Sequence, residues 1–150
     1  MNLYFRLMTL ILAWVFSKSS RKWEQTIQTK FRCLPLDLDL NWHMNNGRYL
    51  SLMDLGRLDY MHQVGLLWPC ASRRWLPVLG ATQMNYRRPI NLWQKFSIES
   101  ELEYWDDKWL VMKQRFVVDG VVVASGRIRG LFLGPQGKIR PAQILQAAKI

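Results

Sequence analysis

Apolar and polar residues alternate most cleanly between Lys95 and Trp105, where Phe96, Ile98, Leu102 and Tyr104 interleave with Ser97, Glu99, Glu101 and Glu103. A period of two puts one set on each face of a strand, so this segment is expected to be a half-buried β-strand. Asp106-Asp107 marks a turn into a second strand, Trp109 to Val118. Asp119-Gly120 is a two-residue hairpin signal into a third, Val121 to Leu133, which Gly134-Pro135 stops. Upstream, Trp75 to Arg88 reads as a strand closed by Pro89, after a connection from Pro69 to Arg74. Mixed alternation from Trp23 to Cys33 predicts one more strand, and residues from Pro141 a short terminal helix.

Between the first strand and the others the period changes to that of a helix. From Arg48 to about Val64, Tyr49, Leu52, Met53, Gly56, Tyr60 and Val64 share one face, and Leu50, Leu55, Leu58 and Met61 occupy others. Apolar residues on most sides mean a buried helix, and Asn45 or Asn46 stands ready to cap it. The order is strand, loop, long buried helix, then four long strands joined by tight turns. That is an α+β class in which a mostly antiparallel sheet curls around one central helix.

Leu3 to Phe16 is almost wholly apolar. As a helix its fourteen residues reach about 21 Å, short of the ~30 Å hydrocarbon core, so a spanning segment is not expected. A secretory signal is disfavoured by Lys18, Arg21 and Lys22, which follow the apolar run directly. Asn2, Arg6, Thr9, Ala13 and Ser17 fall on one narrow polar stripe, and the rest of the circumference is apolar. Such a helix is expected to bury most of its surface, in a membrane interface or against its own domain or a partner subunit. The three basic residues favour a peripheral contact of residues 2–20 with the inner face of an anionic membrane. The division expected is therefore an apolar helix at 1–20 and a single folded domain at 21–150.

Composition narrows the classes of function. At 150 residues and 49% hydrophobic, the chain is long enough for one real core. The formal charge of +10 comes from basic pairs such as Arg21-Lys22, Arg73-Arg74 and Arg87-Arg88 scattered along the chain. No zinc-finger, RNP or basic-zipper pattern accompanies them, so nucleic acid is not expected as a partner. Cys33 and Cys70 stand alone, which fits a reducing, cytoplasmic compartment better than a disulfide framework.

The densest polar cluster sits directly before the buried helix: Asp37, Asp39, Asn41, His43, Asn45, Asn46, Gly47, Arg48 and Tyr49. A capping loop would account for Asp37, Asn45 and Asn46. It does not account for Asp39, Asn41 and His43, which in an extended stretch would point to one side. His62 lies late in the helix, where a core or capping role is expected. No further His/Cys/Asp cluster has ligand spacing, so neither a metal nor any other cofactor is expected.

The run from Asp37 to Tyr49 resembles the DxDxNxHxNNxxY signature of hotdog-fold thioesterases, the superfamily of 4-hydroxybenzoyl-CoA and plant acyl-carrier-protein thioesterases. Tyr86-Arg87-Arg88-Pro89 resembles a strand-ending pattern of the same superfamily. The whole chain is most similar to bacterial relatives of thioesterase superfamily member six, which also begin with an apolar helix. The resemblance implies a hotdog fold and hydrolysis of a fatty-acyl or aryl-acyl thioester of CoA or of an acyl carrier protein. It aligns Asp39 with the carboxylate that acts as nucleophile or general base, and Asn41 and His43 with a polar pair that positions water and polarises the carbonyl. Asn45, Asn46, Gly47, Arg48 and Tyr49 would line the substrate at the helix start, whose backbone N–H groups suit a developing oxyanion. The family often has a Glu near Asp54, and the plant pattern's carboxylate falls one position later, at Leu55 here. Asp54 is thus either a substrate-side carboxylate or a partner in helix pairing. The resemblance further implies a homodimer or homotetramer with the acyl groove at an interface. Two other readings stand beside it: a membrane-associated hotdog protein that holds acyl chains without turnover, and an enoyl-thioester hydratase or dehydratase.

Overall fold

The computed structural model describes residues 2–18 and 21–148. The boundary expected at 20/21 therefore adjoins residues outside those described. An N-terminal helix, α1 (Asn2–Phe16), is followed by strand β1 (Ile27–Arg32), a 3₁₀ turn (Pro35–Asp37) and the long helix α2 (Asn46–Gln63). A short helix α3 (Leu67–Ser72) then leads into β2 (Leu76–Tyr86), β3 (Lys95–Trp105), β4 (Leu110–Val118), β5 (Val121–Gly134), β6 (Gly137–Ile139) and α4 (Pro141–Gln146). The strands form one antiparallel sheet in the order β1-β3-β4-β5-β2, with β6 paired to β5.

The turns form where their residues expect them. Asp106 Oδ1 accepts the amides of Lys108 and Trp109, and Asp119 and Gly120 both take the positive φ that a tight hairpin requires. One expectation needs correction. The connection at 69–74 is largely helical, since α3 holds Leu67–Ser72 and buries Pro69 and Cys70. Gly134-Pro135 stops β5 as expected, and the chain then turns back into β6, so that Phe132, Leu133 and Gly134 pair with Ile139, Lys138 and Gly137.

Helix α2 lies across the sheet with Tyr49, Leu52, Met53, Gly56 and Tyr60 buried. Gly56 lets it approach closely: a Cβ there would stand 3.0 Å from Gln114 Nε2 and 3.2 Å from the Ile98 side chain. The core beneath it combines Leu52, Met53 and Leu55 with Ile98, Phe116, Ala124 and Ile128. This is the α+β arrangement of a hotdog, a helix wrapped by a curled sheet. Strand β2 differs from the rest: it forms one edge, and ten of its eleven residues are exposed.

Helix α1 docks on the domain with part of its polar stripe turned inward. Asn2 and Arg6, on the polar stripe, are buried, while Leu3, Leu7 and Leu10 pack partly against the core. Tyr4, Phe5, Met8, Ile11, Leu12, Val15 and Phe16 are all exposed. The helix docks by a mixed face because the domain presents it with buried carboxylates. Arg6 Nη2 donates to Asp37 Oδ2 at 2.5 Å and Asn2 Nδ2 to Asp37 Oδ1 at 2.8 Å. At the other end, Trp14 Nε1 donates to Asp59 Oδ1 at 2.8 Å, and the Trp14 ring stacks on His62 with centroids 4.9 Å apart. His62 is thus a packing residue at the α1–α2 contact.

Candidate active site

Asp37 is fully buried and holds the loop before α2. Besides α1 it receives the Leu34 amide at 2.8 Å and Arg48 Nε at 3.2 Å. Arg48 also donates to the Leu36 carbonyl at 3.0 Å. Arg48 is therefore a brace of the loop, with Nε and Nη2 of its guanidinium engaged there.

After Leu38 the chain does not run on extended but turns back on itself. Leu38 and Met44 form an isolated bridge, the Asp39 amide donates to the His43 carbonyl at 2.8 Å, and Trp42 takes a positive φ of 62°. Asp39, Asn41 and His43 thus lie on a tight turn, and the one-sided alternation expected of them does not occur. The turn gives Asp39 a different definition. Its half-buried carboxylate accepts the Asn41 amide at 2.8 Å through Oδ1, with a longer 3.4 Å contact from the His43 amide. Backbone donors fix the carboxylate, and Asn41 and His43 on the same turn are exposed. His43 bridges Asn91 and the Met44 amide donates to the Ile90 carbonyl, so the loop is seated on the segment after β2.

The helix start completes this polar patch. Asn45 is the N-cap, accepting the Gly47 amide at 2.8 Å, so the cap already uses one donor expected to face an oxyanion. Asn46 is exposed, and its carbonyl accepts the Tyr86 hydroxyl at 3.3 Å. Tyr49 is buried edge-on to Tyr86 and Phe116, and burial pushes its phenol up to about 12. It is neutral at physiological pH and acts as a wall, not a base.

Asp54 does not join this group. It stands eight residues into α2, roughly 12 Å along the axis from Asn46, and pairs with Arg57. These two residues border an apolar cavity of about 280 Å³ between α2, α4 and the sheet, lined by Leu58, Met61, Leu102, Met112, Ile128 and Phe132. Sequence reasoning missed Arg57, which borders the cavity, and Gln114, which holds Arg57 from behind. Arg57 donates to Gln114 Oε1 at 2.9 Å, and the fully buried Gln114 donates to Ser100 Oγ and the Met53 carbonyl. Burial pulls the Arg57 pKa down, and Asp54 opposes that pull. The signal was present: Gln114 occupies the inward register that Phe116 and Val118 continue. Cys33 and Cys70 are both buried and pushed up to about 11, chiefly by burial, so neither is a nucleophile at neutral pH.

Residues 33–149 match the profile of the thioesterase-like superfamily. The chain is 29% identical to the protein THEM6 of Drosophila melanogaster over 99% of its own length and 75% of that protein's. Its matches to the proteins of the same name from Xenopus laevis and Danio rerio span 41% and 56% of those longer chains. It is 28% identical to the long-chain acyl-CoA thioesterase FadM of Escherichia coli, over 68% of this chain and 79% of that one. Among solved structures, the YbaW probable thioesterase from Escherichia coli superposes with a TM-score of 0.74 at 24% identity, covering 81% of this chain and 98% of that one. That likeness shows the fold.

Proposed function

Because the chain belongs to the thioesterase-like superfamily, we propose that it hydrolyses a fatty-acyl thioester of coenzyme A. The observation that carries the acyl half is the cavity: about 280 Å³ with a wall of aliphatic side chains and only Asp54 and Arg57 charged. Such a wall accepts a flexible hydrocarbon chain and gives an aryl ring with polar substituents few partners. The coenzyme A half rests on the likeness to FadM, a long-chain acyl-CoA thioesterase.

Asp39 supplies the charge for the chemistry. As a base it takes a proton from water while the water oxygen attacks the thioester carbonyl carbon; as a nucleophile it attacks that carbon itself, and water then cleaves the acyl-enzyme. In both cases the C–S bond breaks, the sulfur leaves as thiolate and recovers a proton, and a carboxylic acid is released. In this reading Asn41 and His43, both exposed on the same turn, orient the carbonyl and the water.

A second reading is favoured by one observation: within a single chain the Asp39 turn is not among the residues bordering the cavity. An acyl-binding protein without turnover would need only the cavity. A thiol-release assay over acyl-CoAs of increasing chain length separates the two. Hydrolysis rising with chain length, and falling by roughly 10²-fold or more in Asp39→Asn, is the expected result. Tight binding of acyl-CoA with no thiol released would establish the second reading instead. Equal turnover in a folded Asp39→Asn protein would remove Asp39 from the mechanism.

A further inference from the structure

We propose that the outer face of α1 rests on an anionic lipid bilayer and holds the protein at the membrane surface. The helix is fastened to the domain along its inner side, where Asn2 and Arg6 reach Asp37 and Trp14 reaches Asp59. What remains outward is a single stripe: positions 4, 5, 8, 11, 12, 15 and 16 recur at helical spacing and are 45–89% exposed. An apolar stripe of this length along a whole helix is far more than scattered surface residues require. It continues past the helix start into Leu36, 69% exposed, across a shallow cleft that Phe5 and Pro35 also line.

Three observations select a lipid surface as the occupant. The stripe ends on Phe16, and exposed Lys18, Arg21 and Lys22 follow, so insertion and attraction to anionic headgroups lie side by side. A second copy stacked on the stripe with its helix parallel is disfavoured, since Lys18, Arg21 and Lys22 of the two chains would then face one another. The helix also lies flat and cannot cross: fifteen residues rise about 22 Å, and among the described residues no helix is long and apolar enough to span a membrane. With Arg6 buried on Asp37, depth of insertion is set by the outer side chains alone.

Sedimentation of the full chain with phosphatidylcholine vesicles, with and without phosphatidylglycerol, tests it. The full chain is expected in the pellet with the anionic vesicles, and part of it is expected to return to solution at high salt. Ile11→Glu/Phe16→Glu, at exposed positions, should lower bound over free protein by about tenfold or more. Replacing Lys18, Arg21 and Lys22 by Ser should reduce anionic binding to the level of neutral vesicles. If the Glu pair loses its cooperative thermal transition, Ile11→Ser/Phe16→Ser is read in its place. A full chain that stays in the supernatant overturns the proposal, as do outer-face variants that bind like the parent. So does a halving of particle mass by light scattering in those variants with vesicle binding unchanged, which would identify a second copy as the occupant.

Discussion

At the scale of single residues, neighbouring carboxylates of one motif take opposite parts. Asp37 has no exposure and is surrounded by donors from four places: Asn2, Arg6, the Leu34 amide and Arg48. Asp39, two residues on, sits half-buried on a turn with exposed polar neighbours. Full burial and ion pairing satisfy the first carboxylate as a brace of the loop, while the second is held only by backbone amides and stays partly accessible. Arg6→Met keeps the packed stem and removes the charge facing Asp37. It is expected to destabilise the full chain by about 3 kcal/mol, since Arg48 and Asn2 remain to compensate the buried carboxylate. Arg6→Met/Asp37→Leu should recover part of that loss, because no unpaired acid is left. Urea unfolding of the three proteins measures both; a single variant within about 0.5 kcal/mol of the parent would show the ion pair to be incidental.

At the scale of elements, burial is decided by what each element meets. Strand β3 shows a regular case, with Glu99 and Glu101 on its outer side reaching Arg115 of β4. Hydrogen bonds from Arg115 hold the Glu101 carboxyl below its ordinary range, with a further bond from Thr26. A folded-state pKa below the unfolded one means stability that is fully present above about pH 4.3 and lost as pH falls through the folded value. Thermal midpoints of the parent and Glu101→Gln should therefore differ at neutral pH and converge in acid. A gap that stays constant to about pH 2 would assign the difference to packing instead. Helix α1 shows the irregular case. Its apolar circumference is greater than the domain's contact can cover, and the buried partners of Arg6 and Trp14 fix which side turns inward.

At the scale of the whole molecule, two features remain open in one chain. Strand β2 presents an unpaired edge, with Leu76 at 65% and Leu79 at 51% exposed. Its first residues, Pro77, Val78 and Leu79, also border the cavity. Long, exposed apolar edges are normally covered by another strand. A homodimer paired along β2 would cover this one and bring a second polar turn into the assembly. Light scattering of the Ile11→Glu/Phe16→Glu chain, with the α1 stripe disabled, is expected to give the mass of a dimer or a dimer of dimers. A monomer at micromolar concentration would leave β2 a free edge and each site confined to one chain.

The sequence by itself determined whatever depends on neighbours in the chain. Alternation in Lys95–Trp105, the hairpin at Asp119-Gly120 and the helix from Asn46 arise from periodicity and turn chemistry, which are local. The cluster around Asp39 was legible too, because polar residues at the start of a buried helix are conspicuous. Tertiary structure decided the rest, since those outcomes depend on partners remote in sequence. Arg6 lies 31 residues from Asp37 and Arg57 lies 57 from Gln114. No pattern within either segment shows that a polar stripe will turn inward or that a cavity will end on an ion pair. Even the geometry of Asp39 belongs here. Its turn is pinned by bridges to Met44 and onward to Asn91, and that pinning overrides the extended conformation its alternating polar residues suggest. Local patterns fix which elements form, and the pairing of buried charges fixes how they face one another.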